Sequence, residues 1–247
     1  MTDLSGLGLP PLDGIDWAAY FAQNEKLRLD FSDERPLDGK AKALIFPTMQ
    51  MFQLGEASDG RHLLAAAEKY IRKSGDESYL PAIQGFIIEE NRHSAYLKAY
   101  MGHYGVKPCR RVPLDSIFRW LRQLYGLRDE VTVLMTAEII ALSYYDALGR
   151  CTSSAALSSI CRKMLDDELR HIVFQSRTLF KLGSSKAKRA FRRIFMEITL
   201  CAVWPALRQV FRAGGYQYQD LRAASKGYLA QSLLLEQQGT FAPPAKT

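Results

Sequence analysis

The chain has 247 residues, of which 47% are apolar, and its formal net charge is +7 at pH 7. This length and composition suffice for one large hydrophobic core and require no second domain. The first residues lack the basic start and apolar run of a secretory signal, and no uninterrupted apolar stretch reaches the roughly 20 residues of a membrane helix. The sequence therefore predicts a soluble, cytoplasmic protein that does not enter a membrane.

The cysteines and basic residues indicate which kinds of binding site and partner the protein has. The four cysteines are scattered and form no Cys-x-x-Cys pair of the kind found in zinc sites and redox disulfides. We interpret them as reduced packing residues. The densest positive charge lies in residues 185–193, SKAKRAFRR, which form either a solvated helix face or a docking surface for an acidic partner. No zinc finger or helix-turn-helix spacing accompanies this charge, so we expect no nucleic-acid binding.

In chain order, residues 1–41 are rich in Pro, Gly and Asp and are predicted to form an N-terminal arm that wraps the body. Helical periodicity then predicts a helical domain over residues 42–236, followed by a disordered tail over residues 237–247. No alternating β-branched runs indicate strands. Turn residues divide the domain into long helices at about 44–73, 80–104, 129–149, 153–182, 186–213 and 217–236, with a shorter helix near 114–125.

The first four long helices form two predicted hairpins separated by a long crossover. Such a connection is typical of a ferritin-like four-helix bundle, because it lets the second hairpin lie beside the first in the required direction. The predicted fold class is therefore all-α: a ferritin-like four-helix bundle with two additional C-terminal helices packed outside it.

Two of the four histidines follow a glutamate by three residues, in Glu90-Asn-Arg-His93 and Glu168-Leu-Arg-His171. Positions i and i+3 share one face of a helix, so each pair presents a carboxylate and an imidazole to the same point. The surrounding apolar residues follow the helical spacing, which places both pairs inside the buried stripe. Since burying an unpaired carboxylate is costly, we expect these groups to be protonated, paired with cations or bound to metal.

Another glutamate precedes each pair on the neighbouring predicted helix. In antiparallel helices joined by a short turn, residues at these separations reach about the same height, because a helix rises about 1.5 Å per residue. Four carboxylates and two imidazoles match the set that binds two iron or two manganese ions, and four negative charges neutralise two divalent cations. The predicted metal ligands and catalytic residues are Glu56, Glu90, His93, Glu138, Glu168 and His171.

The segments EENRH (residues 89–93) and DDELRH (residues 166–171) resemble the paired motifs of soluble acyl-carrier-protein desaturases. More broadly, they resemble those of the di-iron oxygenase and oxidase group of the ferritin-like superfamily. The resemblance covers roughly residues 44–182. It implies that Glu56 and Glu138 are terminal or semi-bridging ligands, that Glu90 and Glu168 are bridges, and that His93 and His171 are nitrogen donors.

Two positions depart from the related patterns. Ala141 stands where the desaturases carry a threonine, and Met164 stands where arylamine N-oxygenases carry an additional histidine. The chain is also much shorter than the desaturases.

The acidic residues just before the bridging glutamates, Glu89 and Asp167, are candidates for the layer around the ligands. In similar proteins, the acidic residue at this place hydrogen-bonds the far ring nitrogen of the opposite histidine. The resemblance therefore implies contacts of Asp167 with His93 and of Glu89 with His171; the alternative for each is a partly exposed carboxylate paired with a neighbouring arginine. Tyr145 lies on the ligand face and either tunes the site or packs in the core.

These residues predict an O2-dependent non-haem di-iron oxidoreductase that oxidises an organic substrate by hydroxylation, desaturation or heteroatom oxidation. The alternatives are a peroxide- or iron-handling ferritin-like protein (a ferroxidase, a rubrerythrin-like protein or a dimanganese catalase) and a metal-stabilised interaction protein without turnover. The expected substrate is a small molecule or one tethered to a carrier protein. Because no flavin or nucleotide fingerprint is present, we expect an external electron donor such as a ferredoxin or flavodoxin. The sequence leaves a homodimer open.

Overall fold

The computed structural model describes residues 2–9, 16–57, 60–109 and 126–239. Within these ranges the chain is all-helical and contains no strand, so the all-α prediction is confirmed. A short 3-10 helix, Leu4–Gly6, precedes the α-helices. These are α1 (Trp17–Gln23), α2 (Gly39–Glu56), α3 (Arg61–Ser74), α4 (Tyr79–His103), α5 (Leu127–Arg150), α6 (Ala155–Lys181), α7 (Lys186–Ala213) and α8 (Tyr218–Gln238).

The prediction of one long helix over residues 44–73 is wrong. The chain forms α2 and α3 instead, interrupted at residues 57–60, of which 58–59 lie outside the described residues. Gly60 adopts the left-handed conformation with φ 64°, which a continuous helix does not allow. A Cβ at this position would also lie 2.5 Å from the Ile87 Cδ1 atom. The turn residues of the segment Gly-Glu-Ala-Ser-Asp-Gly were the sequence signal for this break.

The break does not redirect the chain, because α2 and α3 both run antiparallel to α4. Near the end of α2 the Gln53 amide donates to Ser94, and near the end of α3 the ring of Tyr70 contacts Tyr79 at the start of α4. Residues farther along α2 and α3 therefore meet residues earlier in α4. The two short helices together take the place of the single helix expected from the sequence.

Helices α5 and α6 form a second antiparallel hairpin. The Ser154 hydroxyl accepts a hydrogen bond from the Leu157 N–H and caps the start of α6. Helix α4 packs against α6, which joins the two helix pairs, while α7 and α8 pack against α5 and α6. The result is a helical bundle with a second helix pair on its outside.

The predicted N-terminal arm includes α1 and the first residues of α2. Phe21 of α1 is buried and contacts the rings of Phe86 on α4 and Phe174 on α6. This close approach requires Gly85, because a Cβ there would lie 2.7 Å from the Phe21 Cβ. The arm is thus held on the bundle by a short amphipathic helix.

Helix α8 continues to Gln238, two residues into the predicted C-terminal tail, and Gly239 caps it in the left-handed conformation with φ 74°. The helix predicted near residues 114–125 and the tail from residue 240 lie outside the described residues. Two described helices, α5 and α7, are long and apolar enough to cross a membrane by length and composition. Because 83% of the apolar window of α5 is buried inside the protein, this arrangement is compatible with a soluble protein.

Candidate dimetal centre

Six side chains from four helices meet inside the bundle. They form two overlapping groups whose ligand atoms lie within 4.8 Å of one another. The first group is Glu56, Glu90, His93 and Glu168, and the second is Glu90, Glu138, Glu168 and His171. The structure thus brings all six predicted ligands together, with two carboxylates shared between two positions.

Glu56 and Glu138 are not shared: each belongs to one of the two groups. A neutral hydrogen-bond donor holds each of these two glutamates. Glu56 is the last residue of α2, and its Oε1 accepts a hydrogen bond of 2.6 Å from the Tyr145 hydroxyl on α5. Glu138 of α5 accepts a hydrogen bond from the Gln175 amide on α6. Tyr145 therefore contacts a predicted ligand directly, as its place on the ligand face suggested. A neutral donor fixes one carboxylate oxygen and leaves the other for a metal ion.

Both histidines turn one ring nitrogen outward to a carboxylate on the opposite helix. His93 Nε2 lies 3.1 Å from Asp167 Oδ2, and His171 Nε2 lies 2.9 Å from Glu89 Oε2. These are the two contacts that the resemblance implied. Each Nδ1 consequently faces the glutamates, with His171 Nδ1 3.0 Å from an oxygen of Glu90. A carboxylate that holds Nε2–H leaves the Nδ1 lone pair free to bind a metal ion.

The alternative contact with a neighbouring arginine is also present for one of the two outer carboxylates. Arg92 donates to Glu89 at 2.7 Å while Glu89 keeps its contact with His171. Arg170 instead pairs with Asp166. Glu89 is therefore both a histidine partner and half of an ion pair.

Two residues at the site were missed from the sequence. Gln175 lies four residues after His171 on the same helix face, so helical spacing was a signal that could have found it. Asn24, which follows α1, donates to both Glu89 and Asp167. No spacing relates Asn24 to the helical motifs, and no sequence signal places it there.

Four buried atoms that face the centre lack a well-aligned hydrogen bond and lie close only to other members of the ligand set. They are Glu90 Oε1, His93 Nδ1, Glu138 Oε2 and Glu168 Oε1. A buried polar group without a partner costs about 1–3 kcal/mol, and such groups are rare in folded proteins. Oxygen and nitrogen atoms of this kind are ligands for divalent iron or manganese. The residues present therefore fit two metal ions, which would satisfy these atoms and neutralise the four carboxylates.

The electrostatics are those of carboxylates crowded in a buried space. Burial, followed by repulsion from neighbouring carboxylates, raises the pKa of Glu56 and of Glu138 well above the ordinary value. Burial opposes ionisation of Glu168 too, but its contacts with His171 and His93, whose Nδ1 atoms lie 3.3 Å and 3.4 Å from its oxygens, outweigh burial and lower the pKa of that carboxyl. Burial disfavours charged His93 and His171, yet their carboxylate partners raise both histidine pKa values. Protons thus balance the charge that metal ions would otherwise balance, and metal binding would displace them.

One side of the centre is more accessible than the other. His93, His171 and Glu168 are fully buried, whereas Glu56 is 9% exposed and the Glu90 side chain is 12% exposed. These two glutamates lie next to the break between α2 and α3.

Comparison of the chain with family models, with curated proteins and with solved structures gives no match. The functional assignment therefore depends on the residues of this site and their geometry.

Proposed function

We propose that this protein is an O2-dependent non-haem di-iron oxidoreductase, an oxygenase or oxidase that acts on an organic substrate by hydroxylation, desaturation or heteroatom oxidation. The single observation that carries the proposal is the pair of Glu/His groups that share Glu90 and Glu168. Two ions held side by side by shared carboxylates are the arrangement of di-iron carboxylate proteins. We assign the bundle, with α2 and α3 acting as one helix, to the ferritin-like arrangement on the same grounds.

A reduced di-iron pair with an open position, when bound, supplies the activation of O2 and the oxidising equivalents for such reactions. The chain's own residues orient the ligands. Asp167 and Glu89 hold the imidazoles with Nδ1 toward the centre. The Tyr145 hydroxyl and the Gln175 amide hold Glu56 and Glu138, respectively. Both donors are neutral and add no charge to the site.

The substrate approaches from the side of Glu56 and Glu90. Phe52, one turn before Glu56, stacks on Tyr144 with ring centroids 3.6 Å apart and contacts Tyr145 at 5.5 Å. Of these three rings, Phe52 is half-buried while both tyrosines are fully buried, so Phe52 favours a substrate that places an apolar group against it. The substrate is a small molecule or a chain tethered to a carrier protein.

Electrons are supplied from outside by a donor such as a ferredoxin or flavodoxin, and the basic run of residues 185–193 is the proposed docking surface for an acidic partner. Its Lys186, Lys188 and Arg193 are exposed, as such a surface requires. Arg192 is not part of this surface, because it is buried and paired with Glu236.

The proposal is tested by loading the purified protein with ferrous iron, supplying a reductant and measuring O2 consumption against a panel of substrates. Glu90→Ala removes a shared ligand, so we expect it to lose at least one bound iron and the O2 consumption that depends on substrate. The matched control is Glu68→Ala, which removes an exposed glutamate of α3 that pairs with Arg72.

Full iron retention in Glu90→Ala would contradict the ligand assignment. Iron binding without O2 consumption would indicate a metal-stabilised interaction protein. Rapid peroxide disproportionation without substrate oxidation would indicate the peroxide-handling alternative, and metal analysis in the same experiment distinguishes iron from manganese.

A further inference from the structure

We infer that Asn24 is a positioning residue that joins the two histidine-holding carboxylates and thereby couples the two metal positions. The inference rests on the proposed dimetal site. Asn24 Nδ2 donates to Asp167 Oδ1 at 2.8 Å and to Glu89 Oε1. The other oxygens of these carboxylates contact the two histidines. One amide group therefore closes an unbroken path from His93 through Asp167, Asn24 and Glu89 to His171.

One cation fixes the orientation of the Asn24 side-chain amide, and a second cation holds the Asn24 backbone. Lys163 Nζ donates to Asn24 Oδ1 at 2.9 Å and to Asp167 Oδ1 at 2.6 Å. Because an ammonium group can only donate, the amide oxygen faces Lys163 and the amide nitrogen faces the carboxylates. Arg92 donates to the backbone carbonyl of Asn24 at 2.9 Å and to Glu89 at 2.7 Å. Each carboxylate thus has its own cation, and the Asn24 amide hydrogen-bonds both carboxylates.

The amide is delivered by a well-anchored segment. Asn24 caps the C-terminus of α1, and its backbone N–H donates to the Tyr20 carbonyl. Phe21 is 3% exposed and its ring centroid lies 6.0 Å from that of His171. Beyond Asn24, the Leu27 N–H donates to the Tyr96 hydroxyl at 2.8 Å. The segment is therefore held on both sides of Asn24, which limits how far the amide can move.

The chemistry of the position favours a neutral double donor. Glu89 and Asp167 are each 1% exposed, and an amide satisfies both without adding charge. Without it, each carboxylate keeps its cation, but the two histidines lose their common support. Removing partners in the layer around metal ligands typically weakens metal affinity by about 10–100-fold. Since Asn24 acts through that layer, we expect the lower end, about 10-fold, with most of the loss at the second ion bound.

The test uses Co2+ as the probe with the full chain, because its visible d–d bands report ligand geometry independently of turnover. Chelator competition gives the affinity of each ion for wild type, Asn24→Ala and Asn24→Ser, and circular dichroism establishes that each is folded. Gln23→Ala is the matched control, since it removes the adjacent amide side chain, which is exposed. We expect Asn24→Ala to bind the second ion about 10-fold more weakly and to shift the Co2+ bands. Asn24→Ser retains one donor, so its affinity for the second ion is expected to lie between those of wild type and Asn24→Ala. If Asn24→Ala does not fold, the result for Asn24→Ser decides the test.

Coupling is tested with Glu89→Gln, whose carboxamide replaces the partner of His171. If Asn24 couples the positions, Glu89→Gln weakens both ions in the wild-type background but only one in the Asn24→Ala background. Wild-type affinities for both ions in a folded Asn24 variant, with unchanged Co2+ bands, would overturn the inference. Equal effects of Glu89→Gln in the two backgrounds would overturn the coupling. A wild-type protein that binds no pair of ions would instead refute the proposed function.

Discussion

The substitution Glu138→Gln distinguishes two effects of Glu138: the loss of folding stability caused by its buried carboxyl, and its contribution to metal binding. The substitution preserves shape and keeps an oxygen that can accept from Gln175, but it removes the ionisable group. Because burial and then the charge of Glu168 raise the pKa of Glu138, the folded metal-free protein binds a proton there that the unfolded chain has released. The wild-type carboxyl therefore destabilises the metal-free fold wherever the unfolded chain is ionised.

The magnitude follows from the pH interval over which the folded carboxyl stays protonated. The ordinary pKa is 4.5, and each pH unit above it costs about 1.4 kcal/mol. At pH 6 the cost is therefore at most about 2 kcal/mol. For a chain of this size, 1 kcal/mol shifts the melting temperature by about 2–4 °C. Metal-free Glu138→Gln is thus expected to melt up to about 4–8 °C above wild type at pH 6, with the difference vanishing near pH 4.5.

The assay is thermal unfolding of chelator-treated protein from pH 4.5 to pH 7, followed by metal titration. With metal the order reverses, because wild type binds two ions and the variant loses a ligand. The control is Glu68→Gln on α3, whose side chain is 54% exposed and pairs with Arg72 at 3.9 Å. If metal-free Glu138→Gln is less stable than wild type at pH 6, then burial does not raise the pKa of Glu138 in the folded protein. That result would contradict the account of the site's electrostatics.

Two further predictions concern the frame of the site. Gly60→Ala is expected to destabilise the fold by more than about 1 kcal/mol in chemical unfolding, because φ is 64° and the new Cβ would meet Ile87. The control is Gly55→Ala, inside α2 with open space around it, which should be neutral or stabilising. Equal effects of the two substitutions would contradict this account. Glu236→Ala leaves the buried Arg192 without its carboxylate and should cost about 3–5 kcal/mol at pH 7. Although burial alone raises the pKa of Glu236, Arg192 lowers it overall. The stability that this ion pair provides is therefore complete above the ordinary pKa of 4.5 and is lost as pH falls below it, so the two proteins should converge in acid.

The parts of the site that depend on local spacing could be predicted from the residues alone. Glu90 and His93 share a face because three residues make nearly one helical turn, and the same holds for Glu168 and His171. Glu56 was placed at their height by the fixed rise of an antiparallel helix pair. The break between α2 and α3 does not change the height of Glu56, because the break follows Glu56 and leaves the chain running along α4.

Contacts between segments that are distant in the chain became known from the folded arrangement. Arg192 belongs to a basic run that indicates an exposed face, yet the packing of α7 on α8 buries it against Glu236. Asn24 reaches the carboxylates because Phe21 and Gly85 allow α1 to lie close against α4. Such contacts depend on the shapes of two surfaces far apart in the chain, and no periodicity in either segment records them. Spacing along a helix specifies which residues share a face, whereas the packing of whole elements determines what that face contacts.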